Sequence, residues 1–245
     1  MITSIKAFKE VFKPYNLAGR QQELMEQTIK MLGQEILKGD LKVEPWMFDL
    51  DPSRIKVRKI VGNLECGELG LTSLPVWFQL IEEATGSFWC DNNKLTSLEG
   101  GPQTVGESFW CDNNRLTSLK GSPQTVGGSF WCENNQLTSL EGSPQIVGKS
   151  FDCSNNQLTS LEGGPKTIRW SFYCSDNQLT SLVGCPQTVG GSFYCRNNKL
   201  TSLEDLPKKI GRDVLCYNNA KQFSKIDIPS TTKTECNVKF LFKLS

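Results

Sequence analysis

The sequence predicts a repeat solenoid: short coils stacked along one axis, a parallel concave β-sheet on one side, little or no helix on the convex side, and an N-terminal α-helical cap. Three observations predict it. Cysteine recurs every 21 residues, at Cys90, Cys111, Cys132, Cys153, Cys174, Cys195 and Cys216. The first six sit in one shared phrase, S-F-x-C-x-x-N-x-L-T-S-L. Proline follows at the same period, at Pro102, Pro123, Pro144, Pro165, Pro186 and Pro207. Self-similarity at a fixed period of this length marks a chain built from stacked supersecondary units.

The elements follow in chain order. Residues 1–60 read as a helical cap over the open end of the stack. Within it, residues 17–38 place Met25, Ile29, Leu32 and Ile36 at helical spacing. Ile5, Phe8 and Phe12 predict a shorter helix ahead of Pro14. Residues 61–240 read as the solenoid, about nine rungs long. A front rung surrounds Cys66, which lies 24 residues before Cys90. A worn rung surrounds Cys216, and an atypical one surrounds Cys236, 20 residues on. Residues 205–245 form a degenerate C-terminal cap.

Within a rung the assignments are physical. Phe88 and Cys90 are two apart, so they share one face of a strand and point inward. Leu95 and Leu98 continue that core. Stacking sets each Phe over the last Phe and each Cys over the last Cys. Asn93, Asn114, Asn135, Asn156, Asn177 and Asn198 then form a ladder, suited to bonding turn backbone that would otherwise be buried without partners. The Gly-x-Pro step returns the chain in turn or extended form. The glycines of EGGP and VGGS recur with the repeat and are assigned to its turns.

The unit matches L-x-x-L-x-L-x-x-N-x-L with Phe and Cys in place of two leucines. On that pattern the chain resembles leucine-rich repeat proteins. The phrase LTSLEGGPQTVGESFWCDNN is most similar to short-repeat members encoded by tailed bacteriophages and some bacteria. The resemblance covers roughly residues 61–240. It implies a binding protein whose target is a protein of the bacterial host, acting in the host cytoplasm. The repeats also resemble those of bacterial effector ubiquitin ligases, whose large separate catalytic domain is not expected within these 245 residues.

Composition narrows the function further. The chain has 245 residues, with 27 basic against 26 acidic. Near-neutrality supplies no global field for nucleic acid or an anionic membrane. No apolar run is long enough to span a bilayer. The N-terminus lacks a secretory signal pattern, so a cytoplasmic location is expected and the ten cysteines are expected to be reduced. Histidine is absent, which removes the commonest general base and metal ligand. Inward thiols in a parallel ladder do not converge on a metal. Cys185 stands off the register, in a turn. No cofactor, no metal and no catalytic residue are expected.

The residue between Phe and Cys must point outward. That column reads Trp89, Trp110, Trp131, Asp152, Tyr173 and Tyr194. The next outward column holds Asp91, Asp112, Glu133 and Arg196. These ten residues are the candidate partner-binding set. Stacked aromatics in register also stabilise a sheet by themselves. An aromatic face of this length on a soluble chain nevertheless marks an interface. Neighbouring carboxylates such as Asp91 and Asp112 invite a glycosidase reading, against which a solvated acidic strip is the simpler expectation. The leading expectation is a non-enzymatic protein-binding module. Glycan binding through the Trp/Tyr ladder, single-strand nucleic-acid binding and self-association are the alternatives. Acids beside the tryptophans disfavour nucleic acid.

Overall fold

The structure, a computed structural model, describes residues 19–234. The helix anticipated around Ile5, Phe8 and Phe12 and the rung around Cys236 lie outside the described residues. Helix α1 spans Gly19–Leu32. It stops at Gly33, whose N–H still bonds the Ile29 carbonyl at 3.1 Å. The Leu32 carbonyl accepts instead from Lys56 and Val57 N–H at 2.9 and 3.2 Å, which ties the helix end to the first coil. Met25 and Leu32 are buried as expected. Ile36 is not on the helix. It is exposed, in the strand Ile36–Lys38, and Leu37 is buried in its place.

The chain then winds as a parallel β-solenoid. Nine two-residue strands form the front sheet, in the spatial order Val214–Leu215, Phe193–Tyr194, Phe172–Tyr173, Phe151–Asp152, Phe130–Trp131, Phe109–Trp110, Phe88–Trp89, Leu64–Glu65, Leu41–Lys42. Every pairing between neighbours is parallel and in register, Phe88 on Phe109 and Trp89 on Trp110 for instance. Stacking already begins at Ile36–Lys38 and Leu41–Lys42, which pair with Lys59–Val61 and Leu64–Glu65. The extra length between Cys66 and Cys90 is taken up by a 3₁₀ turn, Val76–Leu80. Its Trp77 is fully buried and donates to the Met47 carbonyl at 2.8 Å.

Inside, the Phe ladder runs unbroken from Phe88 to Phe193, with successive ring centroids 5.0–5.6 Å apart. Cysteine and two leucines per coil complete one continuous core from Leu32 to Phe223. Each Asn of the ladder works as anticipated. Asn114 Oδ1 accepts from Leu95 N–H at 2.9 Å, and its Nδ2 donates to the carbonyls of Cys90, Cys111 and Asp112 at 3.0–3.2 Å. The preceding Asn has a different task. Asn92, Asn113, Asn134, Asn155 and Asn197 adopt φ of 51–56°, a left-handed bend that Asn tolerates better than most residues.

A second row of strands was not anticipated. Thr104–Val105 and its equivalents pair along the stack just before the Gly-x-Ser corner that leads into each Phe strand. Glycines at this corner, such as Gly106 and Gly127, are there because the backbone of the neighbouring coil passes too close for a Cβ. The glycines of the other set, Gly100, Gly121, Gly142, Gly163 and Gly184, hold a positive φ of 84–89° instead. The second row divides into a six-strand and a four-strand sheet between Ile146–Val147 and Thr167–Ile168. The corner glycine is replaced by Arg169 at that rung.

Candidate functional site

The two outward columns of the front sheet lie outside the continuous buried core. In the first column Trp89, Trp110, Trp131, Asp152, Tyr173 and Tyr194 are all half-buried. Trp110 and Trp131 stack at 5.1 Å, and Tyr173 and Tyr194 at 4.5 Å. Trp89 makes no ring contact with a described aromatic, so the three indoles do not form a single band. Between the two stacks the column carries Asp152. Strands two apart are spaced by roughly 10 Å, yet the rings of Trp131 and Tyr173 approach to 6.4 Å. Both lean over the shorter aspartate.

That roof changes the chemistry beneath it. Burial pushes the Asp152 carboxyl up from its ordinary value, although it accepts from Ser154 N–H at 2.8 Å. Glu133 is pushed up to about 7, by burial first and by the Asp152 charge second. Asp112, only 7% exposed, is raised by burial and then by Asp91. The expectation of a solvated acidic strip therefore fails at Asp112, which is buried, while Asp91 is half-exposed. A pH dependence follows. Glu133 binds its proton more tightly when folded than at its ordinary 4.5, so its contribution makes the fold less stable as pH rises from about 4.5 through about 7. Its other charged neighbours, Asp91, Asp112 and Asp152, are all acidic. After allowance for solvent screening, Glu133→Gln is expected to raise stability at pH 8 by about 1–2 kcal/mol and to change it little at pH 4.5. Denaturant titrations of both proteins at the two pH values measure this directly.

In the second column Asp91, Asp112, Glu133 and Arg196 follow one another along the stack with Ser154, Ser175 and Tyr217. Arg196 donates to the Tyr217 hydroxyl at 2.9 Å and lies 3.9 Å from an Asp176 oxygen. The structure gathers Glu133, Asp152, Tyr173, Tyr194 and Arg196 around one cavity of about 360 Å³, together with Asn134, Asn155, Ser175, Asp176 and Tyr217. Trp89, Trp110, Trp131, Asp91 and Asp112 do not line it. Asp176 was missed by sequence reasoning. Its signal is a break in the repeat, since the other clean copies carry Asn at that place.

The thiols lie behind this face. The described ladder cysteines are free and buried, and burial raises their thiols. Cys185 is half-buried, donates to the Asp205 carbonyl at 3.0 Å, and is pushed up to about 12 by burial, so it is a poor nucleophile. Among the described residues no group of three His, Cys, Asp or Glu converges to hold a metal ion. Among them no helix is long and apolar enough to cross a membrane. No protein-family model matches the chain, and no curated protein matches it either.

Proposed function

We propose that this chain is a leucine-rich repeat protein without enzymatic activity, which binds a protein partner through the aromatic and acidic face of its front sheet. The observation that carries this reading is the division of labour within each coil. Phe, Cys, Leu and Asn build the buried core and its ladder, while Trp89, Trp110, Trp131, Tyr173 and Tyr194 stand half-buried on the outward face. Rigid, half-buried Trp and Tyr on a stiff sheet are the side chains from which protein interfaces draw their anchors. By resemblance of its repeat to short-repeat proteins of tailed bacteriophages, the partner is a bacterial host protein, and the effect is inhibition or redirection by occlusion in the host cytoplasm.

Stacking on sugars or bases is less favoured by the same geometry. Trp110 and Trp131 cover each other's faces, as do Tyr173 and Tyr194, so these rings offer edges more than planes to a ligand. The adjoining carboxylates would repel a phosphate backbone.

The test is affinity capture from a bacterial lysate with the wild-type chain beside a Trp89→Ala, Trp110→Ala, Trp131→Ala variant whose fold is verified by circular dichroism. One protein retained by wild type and lost by the variant is the expected result. Equal retention by both would move the contact off this face. Retention of nothing by either would count against protein binding.

A further inference from the structure

The cavity between Glu133 and Tyr217 is unlike the rest of the face. Three carboxylates line it, from Glu133, Asp152 and Asp176, against a single guanidinium, from Arg196. That guanidinium is occupied by the Tyr217 hydroxyl at 2.9 Å and lies over the Tyr217 ring at 5.8 Å. The cavity therefore carries net negative charge beside half-buried aromatic rings. It also carries unmet acceptors. Glu133 Oε2 and Ser175 Oγ are buried without a hydrogen-bond partner, and so is Asp112 Oδ1 one rung along. Ser175 is 4% exposed and Asp112 7%. Trp131 Nε1, a donor, is unpartnered on the same face. Buried polar atoms are almost always paired, and Glu133 Oε2 and Ser175 Oγ, two unpaired atoms able to accept at one cavity, mark where donors are to arrive.

We propose that this cavity receives the cationic end of a lysine or arginine side chain presented by the protein partner, with Glu133 and Asp152 as its counter-ions. A basic side chain is the class that fits each feature. Its N–H groups supply several donors and its charge neutralises a carboxylate pair. Its alkyl stem packs on the edges of Tyr173 and Tyr194. An anion would meet three carboxylates. A neutral hydroxylated ligand would satisfy hydrogen bonds but leave the acidic pair uncompensated. Burial raises both the Glu133 and the Asp152 carboxyl in the free protein, which is consistent with a pair awaiting a cation.

The inference rests on the protein-binding reading for the source of the side chain, but it is tested without the partner. The full chain is titrated with two blocked tripeptides, acetyl-Gly-Arg-Gly-amide and the matching citrulline peptide, followed by ligand-observed NMR. The expected result is millimolar or tighter binding of the arginine peptide, at least tenfold weaker binding of the citrulline peptide, and at least tenfold loss in Glu133→Gln and Asp152→Asn. Both substitutions remove a buried charge, so the variants are expected to fold, and near-ultraviolet circular dichroism checks that they do. Equal binding of the two peptides would overturn the proposal, as would binding by neither at 10 mM or unchanged binding by both folded variants. Such a failure alongside partner capture that depends on the tryptophans would remove this inference alone. Failure of capture with arginine-selective peptide binding intact would remove the protein-binding reading instead.

Discussion

Gly127→Ala is expected to cost about 3 kcal/mol, the upper end of what overpacking costs. A Cβ on Gly127 would run into the carbonyl oxygen of Gly106 on the neighbouring coil, and one on Gly148 into that of Gly127. The obstacle is backbone in a stacked coil, so no side chain can swing aside to relieve it. Arg169 occupies this corner between Gly148 and Gly190, where the second row of strands parts into two sheets, whereas Thr85 occupies it within an unbroken sheet. The hydrogen bond from Trp170 N–H to Lys149 O is stretched to 3.3 Å, against 2.7 Å for Gly191 to Trp170 one rung later. The break is already accommodated, so Arg169→Gly is expected to change stability by less than about 1 kcal/mol. It would regain ladder pairing and lose some backbone rigidity in the unfolded chain. Equilibrium denaturation of the two variants measures the asymmetry. A mild effect at Gly127 would show that the coils are not packed this closely.

The second large effect is Asn135→Asp, expected to cost about 3–5 kcal/mol at neutral pH although it changes only one side-chain nitrogen to oxygen. Asn135 Oδ1 accepts from Leu116 N–H at 2.9 Å, and its Nδ2 donates to the carbonyls of Cys111, Cys132 and Glu133 at 3.0–3.2 Å. An aspartate keeps the first bond. It then turns a charged oxygen toward three carbonyl oxygens in a site only 9% exposed. Acidification should recover part of the loss, because a protonated carboxyl donates one bond. Asn134, its exposed neighbour with φ of 54°, supplies the contrast. Asn134→Ala removes no buried bond and carries only the left-handed penalty of about 1 kcal/mol. Thermal melts of both variants at pH 5 and pH 8 separate the two roles. Similar losses at the two positions would contradict the ladder account.

These two sites also show what can be read without coordinates. The Asn ladder was legible because an amide at a fixed place beside a turn has few other duties, and periodicity alone stacks the copies. Inward Phe and Cys were legible from alternation. The second row of strands was not, because Thr104–Val105 and its equivalents are two residues long and end at a glycine, which reads as a turn. The first coil was hidden because Leu37, Leu41 and Val43 fill the core without the cysteine and asparagine that mark later coils. Both columns of candidate binding residues were placed on one face by alternation. Which of them converge was not legible, since the cavity brings Glu133, Asp152, Tyr173, Tyr194 and Arg196 together from four coils. A repeat pattern records which residues are stacked, not how they tilt. Asp176 was readable in principle, as a lone departure from Asn.

The most direct test is oxidative footprinting of the front-sheet tryptophans in the complex with the captured protein. Trp170, 58% exposed and outside both outward columns, is the internal reference. Partner binding is expected to lower oxidation of Trp89, Trp110 and Trp131 at least fivefold and to leave Trp170 unchanged. Protection of Trp170 with no change at Trp89, Trp110 and Trp131 would contradict this expectation, and would place the binding surface elsewhere on the solenoid.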